Sequence, residues 1–204
     1  MSRSHGFGKT TSVEVVRSGS CWYPTIEGLF PAHSAIPDPE VFYRAVNCVQ
    51  KTFIRVNADE VSYHLHILLR YELELAMIGG SLSVSDLQAA WDDGCRSLFG
   101  SSPSSDREGV LQDSHWAVGM FGYFPSYTIG SLYAAQLAEA YQQQHGLTGE
   151  LVGDEFDHLL AWLRMNVHYA GHRMDAEDII RKVTGSGIQV DAFFRHIERK
   201  HRER

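Results

Sequence analysis

The sequence predicts a mainly α-helical protein with at most one short pair of strands. Helix start signals, an Asp, Asn or Ser placed just before a periodic apolar run, recur along the 204 residues, and glycines follow most of these runs. No two stretches alternate apolar and polar residues for long enough to pair as a sheet, although Phe53–Val56 is compatible with one short strand. An apolar fraction of 44% is sufficient to build a core.

The first two helices are predicted from their N-terminal caps. Asp38 is a favoured N-cap and Pro39 a favoured first helical residue, so we expect a helix from there to about Thr52. Asn57 is expected to cap the second helix, because Glu60 stands three residues later as in a capping box. A pair of glycines ends this helix. Further helices are predicted over residues 83–99, 125–145, 154–168, 175–184 and 191–200.

The N-terminal region departs from the helical pattern. Residues 1–12 are rich in Gly, Ser and Thr and show no apolar periodicity, so they are expected to form an irregular segment. The helical part of the chain is expected over residues 13–204. Within it, residues 29–37 contain two prolines and are typical of a connector.

Charge and cysteine content argue against several classes of protein. Lys and Arg number 18 against 25 Asp and Glu, so no nucleic-acid partner is expected, because phosphate binding needs a concentrated basic face. Three scattered cysteines without CxxC spacing favour reduced thiols in a cytoplasmic protein. The longest apolar stretch, residues 65–78, is interrupted by charges, and the first residues lack the apolar core of a signal peptide. No membrane partner is therefore expected.

Eleven histidines raise the question of a metal site, but the zinc-peptidase motif H-E-x-x-H is absent from the sequence. The nearest arrangement is His168 and His172, with Tyr169 where the motif has its glutamate and Gly171 inside the turn. The simpler interpretation is a solvated helix end whose histidines favour the negative C-terminal dipole. We expect no metal to be bound by this chain, with His168 and His172 as a weak alternative pair of ligands.

A polar series lies within the second predicted helix. His66, Arg70 and Glu74 are spaced four residues apart and therefore share one face. The series predicts either a surface stripe with one salt bridge or the lining of a groove. The spacing alone favours the surface stripe.

The segment Gly109–Tyr127 has the highest density of side chains capable of chemistry. Amides, a histidine, a carboxylate and aromatic rings stand there among glycines, which allow the backbone to approach a ligand. An equally good interpretation is a buried loop in which Asp113 and His115 only satisfy backbone groups. The side chains in question are Gln112, Asp113, His115, Trp116, Tyr123 and Tyr127.

These motifs resemble those of the carboxypeptidase Taq family of metallocarboxypeptidases. The family's I-R-x-x-A-D-E segment is similar to Ile54–Glu60, and its G-x-x-Q-D-x-H-W motif is matched over Gly109–Trp116. Its G-Y-F-P-[ST]-Y-x-x-G segment is matched over Gly122–Gly130, and L-Y-A-A-Q over Leu132–Gln136. The similarity extends in order from about residue 13 to residue 200.

The resemblance implies a fold and a metal. It implies that residues 13–204 form a helical wall of a groove-type, zincin-like carboxypeptidase that is usually a homodimer. In the complete family enzyme, a divalent metal, zinc or cobalt, is held by two His of H-E-x-x-H and a Glu of a later H-E-S motif. Neither motif occurs in this sequence. The chain therefore resembles a C-terminal portion that is expected to be inactive alone.

The resemblance also assigns roles to residues of the two matched motifs. Arg55 is expected to bind the C-terminal carboxylate of a peptide substrate, because a guanidinium holds a carboxylate in a bidentate pair. Gln112, His115, Tyr123 and Tyr127 are expected to line the same subsite. His115 and Tyr127 are the candidates for hydrogen bonding to the tetrahedral intermediate.

Two functions remain open at this point. One is a metallocarboxypeptidase of this family, represented by its substrate-binding side. The other is a non-catalytic helical remnant that binds peptide C-termini or a partner protein. In either case, helix faces that pack against the rest of the enzyme in the family would be exposed in this chain. Self-association or a homodimer is therefore expected.

Overall fold

The computed structural model describes residues 28–29, 38–147 and 155–202, and helices are the only regular elements in these ranges. The mainly α-helical fold class is therefore confirmed. The predicted irregular segment, residues 1–12, lies outside the described residues. The helices are α1 (Pro39–Val46), α2 (Tyr63–Ile78), α3 (Leu87–Phe99), α4 (Pro125–His145), α5 (Glu155–Leu163), α6 (Ala176–Thr184) and α7 (Asp191–Arg202).

The proposed strand at Phe53–Val56 is wrong. Arg55–Asn57 forms a single 3₁₀ turn, closed by bonds from the N–H of Asn57 to the carbonyl of Ile54 and from Ala58 to Arg55. The turn aims the Arg55 side chain inward, and Arg55 is buried.

The boundaries of the first two helices also differ from the prediction. Helix α1 ends at Val46 rather than near Thr52. Helix α2 begins at Tyr63, and Asn57 does not cap it. The capping acceptor is Asp59, whose Oδ1 accepts the backbone N–H groups of Val61 and Ser62 at 2.9 Å each.

Residues 47–132 form one compact unit, whose core is the packing of α2 on α3. Gly94 of α3 permits this close approach, because a Cβ at that position would overlap the Cδ1 atom of Leu69 on α2. The buried side chains of this core are Leu69, Leu73, Leu87, Trp91, Cys95 and Phe99.

The second compact unit contains the described residues 28–29, 38–46, 133–147 and 155–202. Its main cluster in the described residues joins α4 to α5 through Ala140, Tyr141 and Trp162. Gln136 of α4 is also buried and bonds to the backbone of residues 187–189. None of the helices in the described ranges is both long enough and apolar enough to cross a membrane.

Candidate functional site

The centre of the candidate site is a carboxylate shared by two guanidinium groups. Arg55 approaches Oδ1 of Asp113 with Nη2 at 2.7 Å and Nε at 3.2 Å. Arg70 approaches Oδ2 with Nε and Nη2, each at 2.5 Å. Two cations therefore face one anion, which leaves an excess of one positive charge within this group of three. The side chains of Arg55, Arg70 and Asp113 are only 8%, 1% and 12% exposed.

This environment fixes the ionisation of Asp113. Burial alone would raise the pKa of Asp113, but the hydrogen bonds from Arg55 and the charge of Arg70 outweigh it and lower the pKa. The interpretation in which Asp113 only satisfies backbone groups is wrong, because its partners are two arginine side chains.

Helix α2 supplies Arg70 from a buried polar face. His66, Arg70 and Glu74 are all buried, so the favoured prediction of a surface stripe is wrong. The reason is that α3 covers His66 with Phe99 and Arg70 with Trp91, while the segment after Asp113 covers Glu74. Glu74 accepts hydrogen bonds from Trp116 Nε1 at 2.8 Å and from the backbone N–H of Gly122. Glu74 thus pairs with this segment, whereas Arg70 bonds both to Asp113 and to the backbone carbonyl of His66.

Arg55 keeps hydrogen-bonding capacity beyond its pair with Asp113. Its Nη1 donates to the hydroxyl of Tyr63 at 3.0 Å, and its guanidinium carbon lies 5.2 Å from the ring centre of Tyr127 and 5.8 Å from that of Phe124. Of the five N–H groups of a guanidinium, Asp113 takes two and Tyr63 takes one. The other two have no hydrogen-bond partner among the described residues.

The charge of Arg55 is secured by the same neighbours. Burial alone would lower the pKa of Arg55, but the hydrogen bond and the charge of Asp113 outweigh it and raise the pKa. Arg55 is therefore a cation at neutral pH.

Gln112 supports the turn that carries Arg55. Its Oε1 accepts the backbone N–H of Arg55 at 2.8 Å, and its Nε2 donates to the carbonyls of Phe53 at 2.7 Å and Glu108 at 2.8 Å. These bonds tie the segment around Gln112 to the 3₁₀ turn. These bonds use both N–H groups of the amide and one lone pair of its oxygen, so Gln112 fixes the turn from beside the site.

His115 and Tyr127 form a second polar pair beside Arg55. His115 Nε2 lies 3.1 Å from the Tyr127 hydroxyl, and His115 Nδ1 lies 3.7 Å from Oδ1 of Asp113. The His115 ring packs against Phe124 and Tyr123 with centroid distances of 4.5 and 5.8 Å. Burial and the neighbouring Tyr123 raise the pKa of Tyr127, so its hydroxyl keeps its proton at neutral pH and is a hydrogen-bond donor.

All five substrate-binding residues expected from the sequence lie in this one cluster. The structure adds Tyr63, Arg70, Glu74 and Phe124, which sequence reasoning did not place here. The four-residue spacing of Arg70 and Glu74 was the available signal, but it does not tell whether a helix face is covered.

The alternative metal ligands, His168 and His172, lie in the other compact unit and are both exposed. Arg164–His168 is a π-helical turn, and Gly171 has a φ of +53°, so the two histidines do not share one α-helical face. Among the described residues, no group of three or more His, Cys, Asp or Glu is arranged to hold a metal ion. The described residues therefore do not fit a zinc or cobalt centre.

The comparison with known families decides the identity of the chain. The sequence model described as the carboxypeptidase Taq (M32) metallopeptidase family matches residues 14–201. The chain belongs to this family. The resemblance found in the motifs is therefore confirmed.

Individual members of the carboxypeptidase Taq family cover most of this chain. Thermostable carboxypeptidase 1 of Thermus thermophilus is 44% identical over 163 residues, which are 79% of this chain and 32% of that protein. The crystal structure of the M32 carboxypeptidase from Deinococcus radiodurans has a TM-score of 0.83 at 34% identity, over 92% of this chain and 38% of that one. Metallocarboxypeptidase 1 of Trypanosoma cruzi has a TM-score of 0.80 at 30% identity, over 93% and 39%. The chain spans about a third of the length of the curated relatives that it matches.

Proposed function

We propose that this chain is the part of a metal-dependent carboxypeptidase that binds the C-terminal carboxylate of a peptide. In the complete enzyme, this carboxylate would be held while the last residue is removed by hydrolysis. The observation that carries the proposal is Arg55, a buried cation with two N–H groups that have no partner in the described part of the chain.

Charge balance supports a carboxylate as the ligand. Arg55 and Arg70 share Asp113, so one further anion makes the group neutral. Of the two arginines, Arg55 has the more exposed side chain, and it is therefore the one expected to meet the ligand. Hydrogen bonds between a guanidinium and a carboxylate are among the stronger ones in proteins. Arg70, on α2, binds the other oxygen of Asp113 and so holds this carboxylate in place.

Tyr127 and His115 are proposed to act next to the bound carboxylate. The Tyr127 ring lies beside the Arg55 guanidinium, and its protonated hydroxyl is in contact with His115 Nε2. A donor placed in this way stabilises negative charge that develops on the substrate during peptide hydrolysis. Tyr123 and Gln112 are proposed to line the same subsite.

The binding proposal is tested by comparing one peptide in two forms. An N-acetylated dipeptide with a free C-terminus is expected to bind the purified chain, and its C-terminal amide is expected to bind at least tenfold more weakly. Arg55→Lys keeps the cation but loses the planar fork, and should weaken binding of the free acid about tenfold. Arg96→Lys, at an exposed ion pair with Asp93, is the matched control and should bind normally. Equal affinity for acid and amide in isothermal titration would refute the proposal.

We further propose that the chain alone does not hydrolyse peptides. The sequence contains no H-E-x-x-H, and the divalent metal of the complete enzyme, zinc or cobalt, has no fitting ligand set in the described residues. The test is hydrolysis of a blocked dipeptide with added zinc or cobalt. Turnover that a chelator abolishes, and that His168→Ala also removes, would overturn this proposal and favour the His168–His172 pair.

A second candidate function, binding of a partner protein or of a second copy, is favoured by an uncovered face of α2. Four apolar side chains at helical spacing are between 41% and 70% exposed there. Two of them also line an apolar cavity of about 270 Å³ together with Ile129. Contiguous exposed apolar surface of this kind is typical of interaction sites. The four residues are Leu68, Tyr71, Leu75 and Ile78.

A cytoplasmic location is proposed from the state of the cysteines. Cys48 and Cys95 both carry free thiols. Cys95 is buried in the core between α2 and α3, and burial raises the pKa of its thiol to about 11. A packed, unreactive thiol is compatible with a reducing compartment. Retention of both free thiols after purification without reductant is the corresponding measurement.

A further inference from the structure

Glu74 uses both of its carboxylate oxygens on one segment of the chain. Oε2 accepts the indole N–H of Trp116 at 2.8 Å, and Oε1 accepts the backbone N–H of Gly122. The carboxylate is buried on α2, opposite this segment. Glu74 therefore connects the helix to two points that are six residues apart in the sequence.

The two points that Glu74 holds border the polar pair of the site. Trp116 directly follows His115, and Gly122 directly precedes the aromatic residues that surround the His115 ring. Residues between them are joined locally, since the N–H of Met120 donates to the carbonyl of His115 at 2.9 Å. Local bonds of this kind do not reach Gly122. The bond to Glu74 anchors the backbone at the start of the Tyr127 segment, in addition to the side-chain contacts that His115 makes with Tyr123, Phe124 and Tyr127.

The double contact requires a carboxylate rather than an amide. Two N–H donors need two acceptor oxygens, and a glutamine offers only one oxygen together with an NH₂ group. An amide at position 74 would therefore keep one bond and place a donor against the other donor. Because the site is buried, an unpaired N–H there is costly.

We propose that Glu74 is a positioning residue for the His115–Tyr127 pair. It acts through Trp116 and Gly122 and does not itself touch the ligand. Its effect on peptide binding rests on the proposed function, whereas its effect on the geometry of His115 and Tyr127 does not.

The test compares Glu74→Gln with Glu72→Gln, which lies on the exposed part of the same helix. In histidine-labelled wild-type protein, a nuclear Overhauser contact should be seen between the His115 and Tyr127 rings. The His115 signals are assigned as those that disappear in the His115→Gln variant. Glu74→Gln should lose or strongly weaken this contact, and Glu72→Gln should keep it. A Glu74→Gln protein that is less stable but shows unchanged His115 signals would overturn the proposal, because a purely structural role predicts that result.

Trp116→Phe provides a second variant in case Glu74→Gln does not fold. It removes one of the two donors and leaves the carboxylate in place, so it should weaken the same ring contact partially. Combined with Glu74→Gln, it should add little further change to the His115 signals. If the changes in the His115 signals caused by Glu74→Gln and by Trp116→Phe simply add in the double variant, Trp116 does not act through Glu74, and the proposal is contradicted.

Peptide binding separates this proposal from the proposed function. If the wild type binds the acetylated dipeptide acid, Glu74→Gln should reduce the affinity about tenfold while Glu72→Gln leaves it unchanged. If the wild type binds no peptide, the proposed function is wrong, and the ring contact alone decides the role of Glu74. If Glu74→Gln loses the ring contact, the positioning role stands in both cases.

Discussion

Arg70 and Asp113 form a buried ion pair in which Nε and Nη2 of the arginine each lie 2.5 Å from Oδ2 of the carboxylate. The two residues are 43 positions apart, so the pair fixes the loop after α3 to the middle of α2. The other oxygen of Asp113 is held by Arg55. One carboxylate therefore connects a helix, a 3₁₀ turn and a loop, and both arginines depend on it for compensation of their charge.

Asp113→Asn is expected to destabilise the protein strongly. An amide cannot neutralise two buried guanidinium groups, and removing one member of a buried ion pair costs about 3–5 kcal/mol. Asp93→Asn is the control, because the Asp93–Arg96 pair is exposed and should be worth less than about 1 kcal/mol. Urea unfolding followed by circular dichroism measures both. A loss below about 1 kcal/mol for Asp113→Asn would contradict the central role of this carboxylate.

Acid should destabilise the protein through His66 before it affects Asp113. Burial, followed by the charge of Arg70, lowers the pKa of His66 from 6.5 to about 4. The unfolded chain takes up the proton first, so stability is full above pH 6.5 and falls as the pH decreases towards 4, by at most about 3 kcal/mol. Asp113, whose pKa is also lowered, adds its own loss below about pH 4.

The contribution of His66 is measured by the slope of stability against pH. His66→Phe should flatten the slope between pH 6.5 and 4, whatever its effect on stability at pH 7. The centre of the Phe99 ring lies 4.5 Å from the centre of the His66 ring, so the new side chain would have an apolar neighbour. His158→Gln, at an exposed histidine, should leave the slope as it is in the wild type. An unchanged slope in His66→Phe would show that this histidine does not cause the acid sensitivity.

Two helical glycines should respond in opposite ways to replacement by alanine. Alanine is more favourable than glycine inside a helix by about 1 kcal/mol. At Gly130 in α4 the added Cβ would meet no other atom, so Gly130→Ala should stabilise the protein slightly. Gly94→Ala gains the same preference but overlaps Leu69 in the core, and overpacking costs about 1–3 kcal/mol. Thermal unfolding of the two variants should therefore shift in opposite directions. Stabilisation by Gly94→Ala would mean that α2 and α3 are less tightly packed than described.

The helices were predictable because their signals are local. Gly100 and Gly185 adopt positive φ angles of 85° and 82° directly after α3 and α6, as expected for C-terminal stops. The start of α2 was predicted at the wrong cap, Asn57 instead of Asp59. Asn57 and Glu60 have the spacing of a capping box, but the 3₁₀ turn at Arg55–Asn57 uses that part of the chain to bring Arg55 to Asp113. A long-range ion pair prevails there over a local preference.

The candidate site was predictable only in part, for a related reason. The motif resemblance placed Arg55, His115 and Tyr127 together, and the structure brings them within contact distances. The burial of Arg70 and Glu74 could not be derived, because their spacing defines a common helix face without telling which segment covers it. That segment begins about 40 residues later, at Asp113. Local patterns do not specify such distant pairings.

Self-association should depend on the uncovered face of α2. Leu75→Lys combined with Ile78→Lys places two charges on the most exposed part of this face, where apolar contacts between copies would otherwise form. Light scattering over a range of concentrations should show a larger average mass for the wild type than for this double variant. Met165→Lys changes an even more exposed apolar residue elsewhere and should not reduce the mass. A wild-type protein that stays monomeric at all concentrations would contradict the prediction, and the apolar face of α2 would then lack a partner in a second copy.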